Sequence, residues 1–137
     1  MITEDSDLIP FGVGKCFFKM DRLGNGIEVD SSNLEEVTEM NFKNFKGDML
    51  LTTCILSGCD YLDSIRGIGF KKAFRLITEY GEDLPAILKK IRREGKLVIP
   101  PDYEKKFELA MLTFKFQRVF CPEKREIVHL MTRRRTL

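Results

Sequence analysis

The tripeptide Gly67-Ile68-Gly69 constrains this chain more than any other stretch, because it runs directly into Phe70-Lys71-Lys72-Ala73-Phe74-Arg75-Leu76-Ile77, an amphipathic helical pattern. Two glycines around one aliphatic residue make a tight turn, since glycine adopts positive φ and leaves the backbone open to close approach. Ile68 is expected to turn inward and pin it. A turn that opens straight into a helix leaves the first helical N–H groups without intrahelical acceptors, at the positive end of the macrodipole. Such a terminus accepts a phosphate, and Lys71 and Lys72 add charge for a polyanion beside it. Gly67, Ile68, Gly69, Lys71 and Lys72 are therefore the candidate contacts to a nucleic-acid backbone. Taken alone, a G-x-G before a helix fits an ordinary helix–helix turn equally well. The rest of the chain has to decide.

Charge is divided along the sequence. The formal net charge is only +2, yet residues 1–63 sum to −7, residues 64–96 to +5 and residues 97–137 to +4. An acidic first half beside a basic second half suits a region that collects metal ions next to one that collects phosphates, although solvated charges spread by chance give the same totals. At 137 residues, 43% of them hydrophobic, the chain has material for one compact unit with a real core. No apolar run approaches a membrane span, and the acidic opening lacks the basic-then-apolar pattern of a signal peptide, so an intracellular chain is expected. Cys16, Cys54, Cys59 and Cys121 have neither zinc-type spacing nor disulfide-scaffold density, which points to reduced thiols.

Local patterns supply the expected elements. Ile2-Thr3 reads as the end of a strand; if that strand persists, Asp5 and Asp7, two apart, point to one side as a pair of anions. By spacing alone a D-x-D is more often a solvated turn than a metal site. Residues 15–20 and 26–30 are short β-type runs joined by turn formers, hence a hairpin. Ser31-Ser32-Asn33 offers an N-cap for a short helix through Leu34, Val37 and Met40. From Asp48 a helix carries Leu50, Leu51, Cys54 and Ile55 on one side, and Asp60 lies just beyond its end, where its ordinary role is a hydrogen bond to the turn backbone. Further helices follow, with stripes at Ala73, Leu76, Ile77 and Tyr80, then Leu84, Ile87, Leu88 and Ile91 after an Asp83 cap. A last helix begins at Pro100-Pro101-Asp102 and carries Phe107, Ala110, Met111, Phe114 and Phe116 as core. Lys89, Lys90, Arg92, Arg93 and Lys96 form a basic face that suits solvent as well as DNA. A second hairpin pairs residues 119–121 with 127–130, placing His129 in a partly buried structural role. Residues 131–137, with Arg133-Arg134-Arg135, read as a frayed basic tail.

Ser57-Gly58-Cys59-Asp60-Tyr61-Leu62, then Ser64-Ile65-Arg66-Gly67-Ile68-Gly69, together with Ile2-Thr3-Glu4-Asp5-Ser6-Asp7, closely resemble the flap endonuclease (XPG/Rad2-like) superfamily over nearly the whole chain. The resemblance implies an α/β fragment, mostly helical: the end of a parallel sheet with a short β-hairpin, followed by a helix-hairpin-helix subdomain. It places residues 1–63 in the C-terminal part of a metal-site domain, 64–130 in the DNA-binding helix-hairpin-helix, and 131–137 in a basic tail.

By the same resemblance the chemistry is phosphodiester hydrolysis with two Mg²⁺ ions that activate water and stabilise the leaving oxygen. The positions matching the family's catalytic and metal-binding carboxylates are Asp5, Asp7 and Asp60. A monovalent cation, K⁺, is implied near Ser57, Ser64 and Ile68. The implied partner is DNA at 5′ ends, flaps and nicks, and the implied location the nucleus. In the family a longer segment carrying further carboxylates and a basic arch precedes the position of Met1. The expectation is thus a fragment of a full nuclease, weakly active or inactive by itself; a truncated DNA-binding module and a structural interaction domain are the alternatives. Retention of three acids near a phosphate-binding turn favours the first.

Overall fold

The computed structural model describes residues 1–130, so the expected basic tail, 131–137, lies outside the described residues. The chain forms two compact units rather than one, Met1–Leu51 and a second that begins at Thr52. Among the described residues the fold is mostly helical, with two antiparallel strand pairs, and no helix is long and apolar enough to cross a membrane.

In the first unit, β1 (Lys15–Phe18) and β2 (Ile27–Asp30) form the expected hairpin, with Cys16 opposite Val29 and Phe17 opposite Glu28. Asp21 organises its turn by accepting from the N–H groups of Leu23 and Asn25 and from the Asn25 amide, whose hydrogen bond above all holds the Asp21 carboxyl below its usual range. Gly26 is required there by space: a Cβ would sit 2.7 Å from the Phe18 carbonyl oxygen and 2.5 Å from the Phe17 ring. The strand register brings Lys15 Nζ within 2.9 Å of Asp30. The N-terminal stretch does lie parallel beside β1, through an isolated bridge from Ile2 to Phe17.

That strand does not persist, however. The N–H of Asp5 donates to Thr3 Oγ1, and Asp5 in turn caps a 3-10 turn, Ser6–Leu8. The expected helix after Ser31 is likewise a 3-10 segment, Ser31–Glu36, capped one residue earlier by Asp30. Asp30 accepts from both the N–H and the hydroxyl of Ser32, and Asn33 leaves helical φ/ψ; short polar side chains compete with backbone helix bonds in this way.

Helix α1 (Met49–Ser57) spans the junction between the two units. Leu51, Thr52, Thr53, Ile55 and Leu56 are all buried, so α1 is enclosed nearly all round, whereas the sequence suggested a single stripe on which Cys54 and Leu50 were also core. The two threonines mask its apolar character. Beyond its C-terminal end the chain turns tightly: Gly58 lies against Ser64, and Cys59 bridges Leu62 through reciprocal backbone hydrogen bonds of 3.0 and 3.2 Å. The second unit accordingly starts ahead of residue 64.

Helix α2 (Phe70–Tyr80) buries Ala73, Phe74, Leu76 and Ile77 and ends at Gly81. Helix α3 (Leu84–Glu94) starts from Asp83, whose carboxylate accepts from the Ala86 N–H at 3.0 Å, carries Pro85 in its first turn and ends at left-handed Gly95. Lys90 joins the two helices by pairing with Glu79 at 3.1 Å and Glu94 at 3.7 Å, its ammonium 5.5 Å from the Tyr80 ring centroid. Helix α4 (Tyr103–Phe116) buries Tyr103, Phe107, Ala110 and Phe114, and Phe114 meets Tyr61 edge-on. Phe116, expected in the core, is 49% exposed because it belongs to the last turn of α4, and Met111 is only half-buried. Strands β3 (Arg118–Cys121) and β4 (Glu126–His129) make the second hairpin. His129 is exposed rather than partly buried; its Nδ1 lies 2.7 Å from the Phe116 carbonyl, so that nitrogen carries the proton and donates.

Candidate nucleic-acid interface

The turn at 67–69 has the geometry its composition requires. Gly67 adopts φ +93°, Ile68 is 2% exposed, and its N–H donates to the Ile65 carbonyl at 2.8 Å. Gly69 is the N-cap of α2 in an extended conformation, with no side chain to satisfy the helix start. Its carbonyl accepts from Lys72 and Ala73. Among the described residues, the N–H groups of Gly69, Phe70 and Lys71 find no acceptor, and a Cβ built on Gly69 meets nothing within 4 Å. Three unpaired backbone donors therefore lie on exposed residues at the positive end of an eleven-residue helix.

Lys71 and Lys72 flank these amides and are exposed. Arg66, just ahead of Gly67, and Arg75, one helical turn beyond Lys71, are exposed too and extend the same basic surface. Sequence reasoning passed over both, though the i, i+4 spacing from Lys71 to Arg75 was the signal that could have found the second. On α3, Lys89, Arg92 and Arg93 remain exposed, as does Lys96 just beyond its end, while Lys90 is committed to Glu79 and Glu94.

The carboxylates are distributed between the units. Asp5 and Asp7 belong to the first, where Asp5 Oδ1 accepts from the Asp7 N–H at 2.9 Å. The two are neighbours through a capping bond and not through strand alternation. Asp60 belongs to the second, exposed at the tip of the turn closed by Cys59 and Leu62. The expected alternative for it, a hydrogen bond to the turn backbone, is not made among the described residues. Within neither unit do three His, Cys, Asp or Glu side chains of the described residues group so as to hold a metal ion. Of the expected cation ligands, the Ser57 hydroxyl donates to the Cys54 carbonyl at 2.8 Å, and the Ser64 Cβ lies 3.3 Å from the Cβ position of Gly58. Ser57 is the last residue of α1, and Ser64 and Ile68 lie on the segment that links α1 to α2.

Residues 1–60 match the family model of the XPG I-region. Exonuclease 1 of Arabidopsis thaliana is 45% identical over 130 residues, 95% of this chain and 17% of the relative. Exodeoxyribonuclease 1 of Schizosaccharomyces pombe is 39% identical over 137 residues, 100% of this chain and 24% of the relative. The chain therefore spans less than a quarter of the length of these relatives. Among solved structures, the catalytic core of Rad2 in complex with DNA substrate shares the fold, with a TM-score of 0.55 and 18% identity over 82% of this chain and 41% of that one. A second Rad2 catalytic core gives 0.51 at 20% identity, covering 82% of this chain and 43% of that one. The chain belongs to the XPG/Rad2 family. Within the family its similarity is to exonuclease 1, at 39–45% identity in the plant and yeast sequences above.

Proposed function

We propose that this chain is the DNA-gripping part of a structure-guided 5′ nuclease, of the 5′–3′ exonuclease or 5′-flap endonuclease type, acting on 5′ ends, flaps and nicks in repair and replication. One observation carries it: the unsatisfied amides of Gly69, Phe70 and Lys71 open onto solvent between exposed Lys71, Lys72, Arg66 and Arg75. Backbone donors and cations of this kind hold phosphates without reading bases, so the grip is sequence-nonspecific. The Rad2 core that shares this fold was solved with a DNA substrate, which supports DNA binding as the use of this surface. In this proposal α1, the glycine turn and α2 act as a helix-hairpin-helix, with Ser57, Ser64 and Ile68 supplying oxygens for a K⁺ ion beside the docked phosphate.

Asp5, Asp7 and Asp60 are the proposed ligands for Mg²⁺, and as hard oxygen donors they suit it. Asp60 has both carboxylate oxygens uncommitted among the described residues, and Asp5 uses one oxygen on the Asp7 amide, leaving the other available. When bound, such ions activate the attacking water and stabilise the leaving oxygen. The protein residues contribute position: the capping bond fixes Asp5 against Asp7, and the Cys59–Leu62 bridge presents Asp60 next to the turn that leads to the phosphate grip.

The test is duplex-DNA affinity as a function of salt. Log Kd should rise steeply with log salt, and Lys72→Ala should reduce the slope by about one phosphate contact. An unchanged slope and affinity in that variant would reject the grip.

A further inference from the structure

We propose that the groove between the start of α3 and the middle of α4 docks a short protein segment bearing aliphatic side chains flanked by lysine or arginine. This surface goes beyond the DNA-binding proposal and does not depend on it. The groove has a volume of about 430 Å³. Leu84 and Phe107 lie at its base, 6% and 4% exposed, while Pro85 and Leu112 stand open at its walls, Leu112 at 50%. Its rim carries Glu104 and Glu108 on α4, with Glu82 at the α3 end.

Charge selects the occupant. Glu104 and Glu108 are four residues apart on one helix, a mutually repulsive like-charge spacing, and neither has an ion-pair partner among the described residues. A cation laid along the groove would meet both. Three carboxylates repel a phosphate backbone, so the DNA that the turn before α2 attracts is excluded from this face. An acidic segment is excluded for the same reason. The occupant that fits is an amphipathic peptide that seats aliphatic anchors against Leu84, Phe107 and Leu112 and sets Lys or Arg over Glu104 and Glu108.

A randomised peptide-display library selected on the full chain tests this. Enriched peptides should combine aliphatic anchors with Lys or Arg at helical spacing. A synthetic copy of one should bind the Leu112→Glu variant and the Glu104→Lys/Glu108→Lys variant at least tenfold more weakly than the native chain. The Glu104→Gln/Glu108→Gln variant should lose most of the salt dependence. These residues are exposed at the rim and wall, and an unchanged circular-dichroism spectrum confirms that each variant is folded. Four results would overturn the proposal: no enrichment, enrichment of acidic peptides, undiminished binding to the Leu112→Glu and charge-reversed variants, or competition by duplex DNA. Concentration-dependent dimerisation of the native chain that Leu112→Glu abolishes would assign the groove to a second copy instead, and so also overturn it.

Discussion

The glycines on either side of Ile68 should fail in opposite ways when a methyl group is added, and the contrast separates folding from binding. Gly67 sits at φ +93°, and an added Cβ would lie 2.9 Å from a Leu97 methyl carbon. The backbone strain of an L-residue at positive φ amounts to about 1–2 kcal/mol. Displacing the Leu97 methyl from its rotamer adds about 0.5–1.5 kcal/mol. Gly67→Ala should therefore lower unfolding free energy by about 2–3 kcal/mol. Gly69 adopts φ −99°, and a Cβ there meets nothing within 4 Å. Replacing an N-cap glycine by alanine costs about 0.5 kcal/mol, offset by a comparable loss of unfolded-state entropy. Gly69→Ala should leave stability within about 0.5 kcal/mol of native. Binding should invert the order. The Gly69 methyl projects where a phosphate would approach, and losing one charge-assisted amide bond, worth about 1.5–3 kcal/mol, weakens duplex affinity about tenfold or more; Gly69→Val should do more. Urea denaturation gives the first quantity, and fluorescence anisotropy with a labelled duplex gives the second. Equal destabilisation by the two alanines, or native DNA affinity in Gly69→Val, would refute the reasoning.

Three further outcomes rest on particular groups. Among the described residues the buried Tyr103 hydroxyl has no hydrogen-bond partner, and burial first, then Cys59, push its pKa up to about 12; Tyr103→Phe removes an unsatisfied donor and should stabilise by about 1 kcal/mol, seen as a higher melting temperature. Hydrogen bonds from Ser32 and Lys15 hold the Asp30 carboxyl down at about 2, so its contribution is complete above the unfolded value of about 3.9 and is lost as pH falls through about 2. Melting between pH 4 and 2 should accordingly be less pH-dependent in Asp30→Asn than in the native chain, and parallel curves would contradict this. Magnesium at ten times its Kd should stabilise the native chain by about 1.4 kcal/mol and so raise its melting temperature more than that of Asp5→Asn/Asp60→Asn; identical shifts would remove these two residues from the proposed metal ligands.

The features legible in the sequence were local and periodic. The 67–69 turn, the inward Ile68, the Asp83 cap, the Gly81 stop and both hairpins derive from glycine placement, capping chemistry and alternation, each readable within a few residues. Errors arose where short polar groups outcompeted periodicity. Asp5 turned a strand into a 3-10 cap, and Asp30 captured a helix start that Ser31-Ser32-Asn33 offered. The burial of Thr52 and Thr53 could not be seen from a scale that counts threonine as polar, and the exposure of Phe116 depends on where α4 stops. Lys90 looked like one of five equivalent cations until the packing of α2 on α3 set it beside Glu79. The orphaned amides at the start of α2 were expected from the helix start itself, whereas the open space in front of Gly69 became visible only in three dimensions.

The most direct test of the central claim is a titration of the isotopically labelled chain with a short duplex, monitored by amide NMR. The backbone amides of Gly69, Phe70 and Lys71 should shift or broaden first and furthest, with Arg66, Lys72 and Arg75 next. If these amides stay in place while those of the exposed basic face of α3, around Lys89, Arg92 and Arg93, move instead, the turn is a structural joint and DNA is held elsewhere.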